Sequence, residues 1–245
     1  MKNRLAITML AAISCVSMAF AAPAVAPQAP PAASAAATAP AANPQSAPPG
    51  PGQKIINDSG YTVIMGDPAK AQPIVTSVCA ACHGADGNSV TPTYPKLAGQ
   101  IYEYLLKQLN DFKSGKRQNA IMSGMVASLS EDDMRNLAAY FSEQKIKPGA
   151  AQNKELAVEG EKIWRAGVAG QGVPACQACH GPTGQGIPIE FPHLASQHAD
   201  YVYAQLVAFR SGARVNDPGK MMRTIASRLS DQDMKALAQY INGLH

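Results

Sequence analysis

Five residues occur twice in this chain: Cys79-Ala80-Ala81-Cys82-His83 and Cys176-Gln177-Ala178-Cys179-His180. Cysteines three apart lie about one helical turn from each other. That is the separation two thiols need to add across the two vinyl groups of one porphyrin, and the next histidine is then placed under the iron. Cys-x-x-Cys-His is accordingly the pattern of c-type haem attachment. A single copy would also suit a zinc knuckle or a thioredoxin-like dithiol. Two copies, each closing on His-Gly at the same place in a repeat, favour two covalent haem c groups, bound through Cys79 and Cys82 and through Cys176 and Cys179.

An iron held by His83 or His180 needs a second axial ligand to shuttle electrons without binding small molecules, and methionine in that position raises the potential. The repeat sorts the candidates. Met125 corresponds to Ile225 and Met221 to Ile121, so neither is shared, whereas Met122 and Met222 match, each seven residues before Leu-Ser. Met134 and Met234 also match, but they lie on the apolar stripe of a regular helix, where methionine is usually core filler. Met122 and Met222, expected in irregular loops, are the predicted ligands, with Met125 and Met221 as runners-up. His193, His198 and His245 do not repeat and read as surface or interface residues. Pro95-Lys96-Leu97 and Pro192-His193-Leu194 follow the two motifs at equal distance. The Pro95 and Pro192 carbonyls would take the second ring N–H of each histidine, as metal-bound imidazoles usually require, and Leu97 and Leu194 would pack on the haem.

The elements that must place these residues are helical. Asp67-Pro68 reads as an N-cap with proline at the first helical position, and Pro73 either kinks or restarts that helix before Cys79. Tyr102, Leu105, Leu106, Leu109 and Phe112 recur at steps of three and four, predicting a helix from about Gln100 to Ser114. Ser130 followed by Glu131, Asp132 and Asp133 predicts another N-terminus, with Met134, Leu137, Ala138 and Phe141 on one face. The second half repeats the plan: Cys79 matches Cys176, Pro95 matches Pro192 and Gln100 matches Gln197 at an offset of 97, and Tyr140 matches Tyr240 at 100. A repeat of that length is a duplicated domain. Each half has about 90 residues, few for a core without a cofactor. The expected organisation is a signal peptide at 1–21, an Ala/Pro-rich disordered spacer at 22–65, a first domain at 66–147, a linker at 148–153 and a second domain at 154–245.

Lys2 and Arg4 precede an apolar run from Leu5 to Phe20, with a small-x-small cleavage site at Ala19-Phe20-Ala21 and a second option at Ala24-Val25-Ala26. Ala12-Ile13-Ser14-Cys15 is a poor lipoprotein box. Four of the five cysteines belong to the haem motifs and the fifth is in the leader, so no disulfide framework is implied. Removing Lys2 and Arg4 with the leader takes two charges from the formal +4. No basic run or interleaved aromatic pattern suggests nucleic acid.

The chain resembles the dihaem cytochrome c4 family, bacterial exported proteins built from two class I cytochrome c domains. The resemblance covers residues 66 to 245 and rests on 79–88, on Tyr94 to Gln100, on Cys176 to Gly181, on Phe191-Pro192-His193-Leu194 with Gln197-His198, and on Tyr240 to His245. It implies an all-α tandem fold, each domain wrapping one covalent haem c, with His83 and Met122, and His180 and Met222, as axial pairs. It also implies a periplasmic, monomeric carrier that delivers electrons toward a terminal oxidase, in peripheral association with the membrane. A quinol-oxidising complex or a dehydrogenase would be the donor. The Ala/Pro stretch is longer than the family pattern, which puts anchoring in doubt but not the haem chemistry. The rival readings are a dihaem enzyme, such as a peroxidase or a thiosulfate-oxidising protein, and the electron-accepting cytochrome subunit of a dehydrogenase.

Overall fold

The computed structural model describes residues 62–245, together with Gly52 and 54–56. The leader, its cleavage sites, the lipoprotein box and the Ala/Pro tract up to residue 51 lie outside the described residues. The spacer assigned to 22–65 ends earlier than expected. Strands β1 (Lys54–Ile56) and β2 (Thr62–Ile64) pair antiparallel, with Lys54 opposite Ile64 and Ile56 opposite Thr62. Ile55, Ile56, Thr62 and Val63 are β-branched and favour a pleated backbone. Tyr102 Oη ties the hairpin to the helical body by donating to Ile64 O at 2.8 Å. These are the only strands among the described residues; everything after them is helix and turn, in two lobes that pack as one unit.

In the first lobe, α1 (Pro68–Ile74) starts where Asp67 accepts the Ala69 N–H. Pro73 lies inside this helix, where its ring nitrogen has no hydrogen to donate to the preceding turn. The ladder widens into a π-turn at Val75–Cys79 and closes again as α2 (Ala80–His83). Then follow α3 (Tyr102–Lys113), α4 (Ala120–Val126) and α5 (Glu131–Ser142). The second lobe repeats this with α6 (Lys154–Ala166), α7 (Gln177–His180), α8 (Ala199–Ser211), α9 (Met221–Ala226) and α10 (Asp231–Gly243).

The last helix of each lobe is the beam against which the others pack: α1 and α3 on α5, α6 and α8 on α10. Met134, Leu137, Ala138 and Phe141 face the first core, and Met234, Leu237, Ala238 and Ile241 the second, all nearly without exposure. Each such large side chain removed from water contributes about 2 kcal/mol. Trp164 of α6 is fully buried in the second core, its indole N–H donating to Pro182 O. The crossing of α6 and α10 depends on Gly160, where an added Cβ would stand 2.1 Å from the Ala236 carbonyl oxygen.

Both beams start with a reciprocal cap. Ser130 Oγ accepts from Asp133 N and the Asp133 carboxylate accepts from Ser130 N; Ser230 and Asp233 do the same. Ser230→Ala is expected to cost about 1 kcal/mol. That is a fall of roughly 3 °C in the Tm of the holoprotein by calorimetry; an unchanged Tm would show that α10 is held without its cap.

Candidate functional site

Each motif ends a four-residue helix on its histidine, and Gly84 (φ +77°) and Gly181 (φ +80°) turn the chain away immediately afterwards. A side chain is strained in that left-handed region, so glycine lets the histidine be the last helical residue. His83 and His180 are both buried. Nδ1 of His83 lies 2.9 Å from the Pro95 carbonyl oxygen, and Nδ1 of His180 lies 3.0 Å from that of Pro192. A carbonyl only accepts, so Nδ1 carries the proton and the lone pair is on Nε2. Among the described residues neither Nε2 makes a protein hydrogen bond. Burial lowers both imidazole pKa values, opposed by the proline carbonyls. The outcome is a neutral imidazole with a free lone pair, the form that ligates metal.

The four motif cysteines are free and half-buried. Burial pushes the Cys79 and Cys176 thiols up to about 11, the opposite of the lowered pKa that activates a thioredoxin-like pair. Among the described residues no group of three or more His, Cys, Asp and Glu side chains converges as a metal cage, so the zinc-knuckle reading has no ligand set. One imidazole with an orphaned Nε2 and two thiols a helical turn apart, in each lobe, fit a haem c.

Met122 and Met222 lie in short helices, α4 and α9, and not in the irregular loops expected. Asn119 caps α4, its side chain accepting from Met122 N. Helices of six and seven residues are too short to show a periodic signal. Met122 is half-buried, and Met222 is half-buried against the second core. The runners-up are the exposed members of each pair, Met125 at 46% and Met221 at 36%. Met134 and Met234 are sealed in the cores. Leu97 and Leu194 pack against the first and second cores, and their N–H groups donate to Gly87 O and Gly184 O.

The two inner histidines that break the repeat both lie where the lobes meet. His193 Nδ1 is 3.1 Å from Gly99 O, and His198 Nε2 is 2.8 Å from Ser89 O. A network missed by sequence reasoning lies beside them, joining Arg117 and Arg214 to Tyr104, Gln108, Tyr201 and Gln205. Its signal was present: Tyr104, Gln108 and Arg117 recur as Tyr201, Gln205 and Arg214 at the offset of 97.

A cytochrome c family model matches residues 68–145 and again 157–245. Cytochrome c4 of Pseudomonas aeruginosa is 48% identical over 189 residues, spanning 76% of this chain and 93% of that protein. The chain belongs to the cytochrome c4 family. The crystal structure of reduced recombinant cytochrome c4 from Pseudomonas stutzeri superimposes with a TM-score of 0.71 at 48% identity, covering 74% of this chain and all of that one. This cytochrome c4 is therefore a pair of tandem cytochrome c domains with two covalently bound haem c groups, and it is an electron-transfer protein. A protein of Thiomonas intermedia named as a thiosulfate dehydrogenase electron acceptor is 41% identical over 174 residues, 70% of this chain and 80% of that one. Among the described residues no helix is long and apolar enough to cross a membrane.

Proposed function

We propose that the protein is a periplasmic carrier with two methionine–histidine irons, exported by the signal peptide at 1–21. The observation that carries this reading is the same buried histidine, with Nδ1 on a proline carbonyl and Nε2 free, in both lobes. Cys79 and Cys82 hold the first haem and Cys176 and Cys179 the second. His83 with Met122, and His180 with Met222, close the two irons, and Leu97 and Leu194 cover the rings. The folded domains run from 66 to 147 and from 154 to 245 about the linker 148–153, with the hairpin ahead of the first.

When bound, each haem supplies one-electron exchange; the protein supplies ligation, orientation and a dry environment. Pro95 and Pro192 keep each imidazole in one tautomer and one orientation, so little rearranges when charge is taken or given. Electrons would come from a quinol-oxidising complex or a dehydrogenase and go to a terminal oxidase. The likeness to a thiosulfate dehydrogenase electron acceptor favours a second reading, in which the donor is a dehydrogenase of that kind. The chemistry of the chain is the same in both, and the protein works as a monomer.

The test is optical. A pyridine haemochrome assay should count two c-type haems per chain, and the ferric protein should show the weak near-infrared methionine–iron band from both. A high-spin ferric iron or peroxidase turnover would overturn the carrier reading. Reduction rates with a quinol-oxidising complex and with a thiosulfate dehydrogenase separate the two donors.

A further inference from the structure

Two glutamines related by the repeat reach across to the opposite lobe. Gln100 Oε1 accepts from His193 N at 2.9 Å and Nε2 donates to His193 O at 2.8 Å. Gln197 mirrors it: Oε1 accepts from Lys96 N at 2.9 Å and Nε2 donates to Lys96 O at 2.9 Å. Both side chains are buried, and each Oε1 also takes the N–H of the next residue in its own chain segment. Both backbone polar groups of Lys96 and of His193 are thus committed to the other lobe.

The N–H of His193 and the C=O of Pro192 belong to one planar peptide group. Its oxygen accepts from His180 Nδ1, and its hydrogen is held by Gln100 of the first lobe. The sequence His180 Nδ1–H, Pro192 C=O, His193 N–H, Gln100 Oε1 is a continuous chain of hydrogen bonds across the interface. The same chain runs from His83 through the Pro95–Lys96 peptide to Gln197. Hydrogen bonds in series polarise one another, so an acceptor on the peptide N–H makes the peptide oxygen a stronger acceptor for the imidazole proton. That raises the basicity of the ligating nitrogen and favours the oxidised iron.

We infer that Gln100 and Gln197 are crossed positioning residues, each fixing and tuning the axial histidine of the opposite lobe through one peptide group. This rests on His83 and His180 being the iron ligands. The histidine a glutamine acts on is not the one in its own domain.

The experiment uses the full-length holoprotein and reads both reduction potentials by spectroelectrochemistry and the hyperfine-shifted haem methyl resonances of the oxidised form, assigned lobe by lobe. Gln100→Met should raise the potential of the second lobe's haem and move its methyl resonances, with the first lobe's unchanged; Gln197→Met should do the reverse. Gln100→Glu, which keeps an oxygen acceptor for His193 N–H, should return the second haem to the wild-type potential or below it, and it serves if the methionine variant does not fold. Tyr104→Phe removes an interlobe bond to Arg214 but touches neither peptide, and should leave both haems as in wild type. Own-lobe effects, equal shifts at both haems, or a Tyr104→Phe variant that reproduces Gln100→Met would overturn the inference. A wild-type protein without two histidine-ligated irons would instead overturn the ligand assignment beneath it.

Discussion

Met222→Ala is expected to remove half of the near-infrared methionine–iron(III) absorption and to lower the potential of the second haem by about 0.2 V, a fraction of the roughly 0.8 V that axial ligation spans. Met122→Ala should do the same to the first haem. The control is the same chemical change made twelve residues further along. Met234 is fully buried between α10 and the rest of the second core, so Met234→Ala should keep the band and cost about 2–5 kcal/mol through the cavity it leaves. The two substitutions therefore dissociate: one loses a signal with modest loss of stability, the other loses stability with the signal intact. Near-infrared absorption and denaturant melts on the same samples read both. A full band in Met222→Ala would pass the ligand role to Met221, its exposed neighbour.

Why Met222 and not Met234 could be proposed from sequence alone shows what the chain makes legible. The haem motifs, the serine caps and the apolar stripes of α5 and α10 are local patterns with fixed spacing, and the duplication checked each of them against a second copy. The short helices α4 and α9 carry no such pattern, because six or seven residues hold fewer than two turns; the ligand candidates came from the repeat and not from their structure. The β1–β2 hairpin was read as spacer because it continues directly from the Pro-rich tract and offers only three residues per strand.

The interface was the least legible part. On α3, Tyr104, Gln108 and Asp111 read as the polar, solvated face of an amphipathic helix. Gln108 and Asp111 are in fact buried, because the second lobe covers that face. Nothing in a single helix says that its polar stripe is sealed by another domain. His193 and His198 gave the one indirect sign: they depart from the repeat at the surface where two unequal copies meet.

Arg214→Met is expected to turn one cooperative unfolding transition into two. Arg214 is buried and its guanidinium donates to Tyr104 Oη at 3.0 Å and Gln108 Oε1 at 3.2 Å in the first lobe, and to Gln205 Oε1 at 2.9 Å in its own. Arg117 is its counterpart, donating to Tyr201 Oη at 2.9 Å and Gln205 Oε1 at 2.8 Å across the interface and to Gln108 Oε1 at 2.9 Å at home. Each guanidinium lies on a phenylalanine of its own lobe, Phe112 at 4.6 Å and Phe209 at 4.5 Å. A methionine keeps most of that packing and removes the donors, so the loss is that of charged hydrogen bonds in a buried setting, about 3 kcal/mol. The loss falls on the contact between lobes and not on either core. Trp164 is the only tryptophan and reports on the second lobe, while far-ultraviolet circular dichroism reports on both. Their midpoints should coincide in the wild type and separate in Arg214→Met. The double variant with Arg117→Met should cost more than the two single variants together. Gln108 and Gln205 each keep one arginine after a single substitution and lose both after two. The first substitution also relieves the repulsion between two like charges, and the second has none left to relieve. Coincident midpoints in Arg214→Met, or simple additivity in the pair, would mean that the two lobes are held together elsewhere.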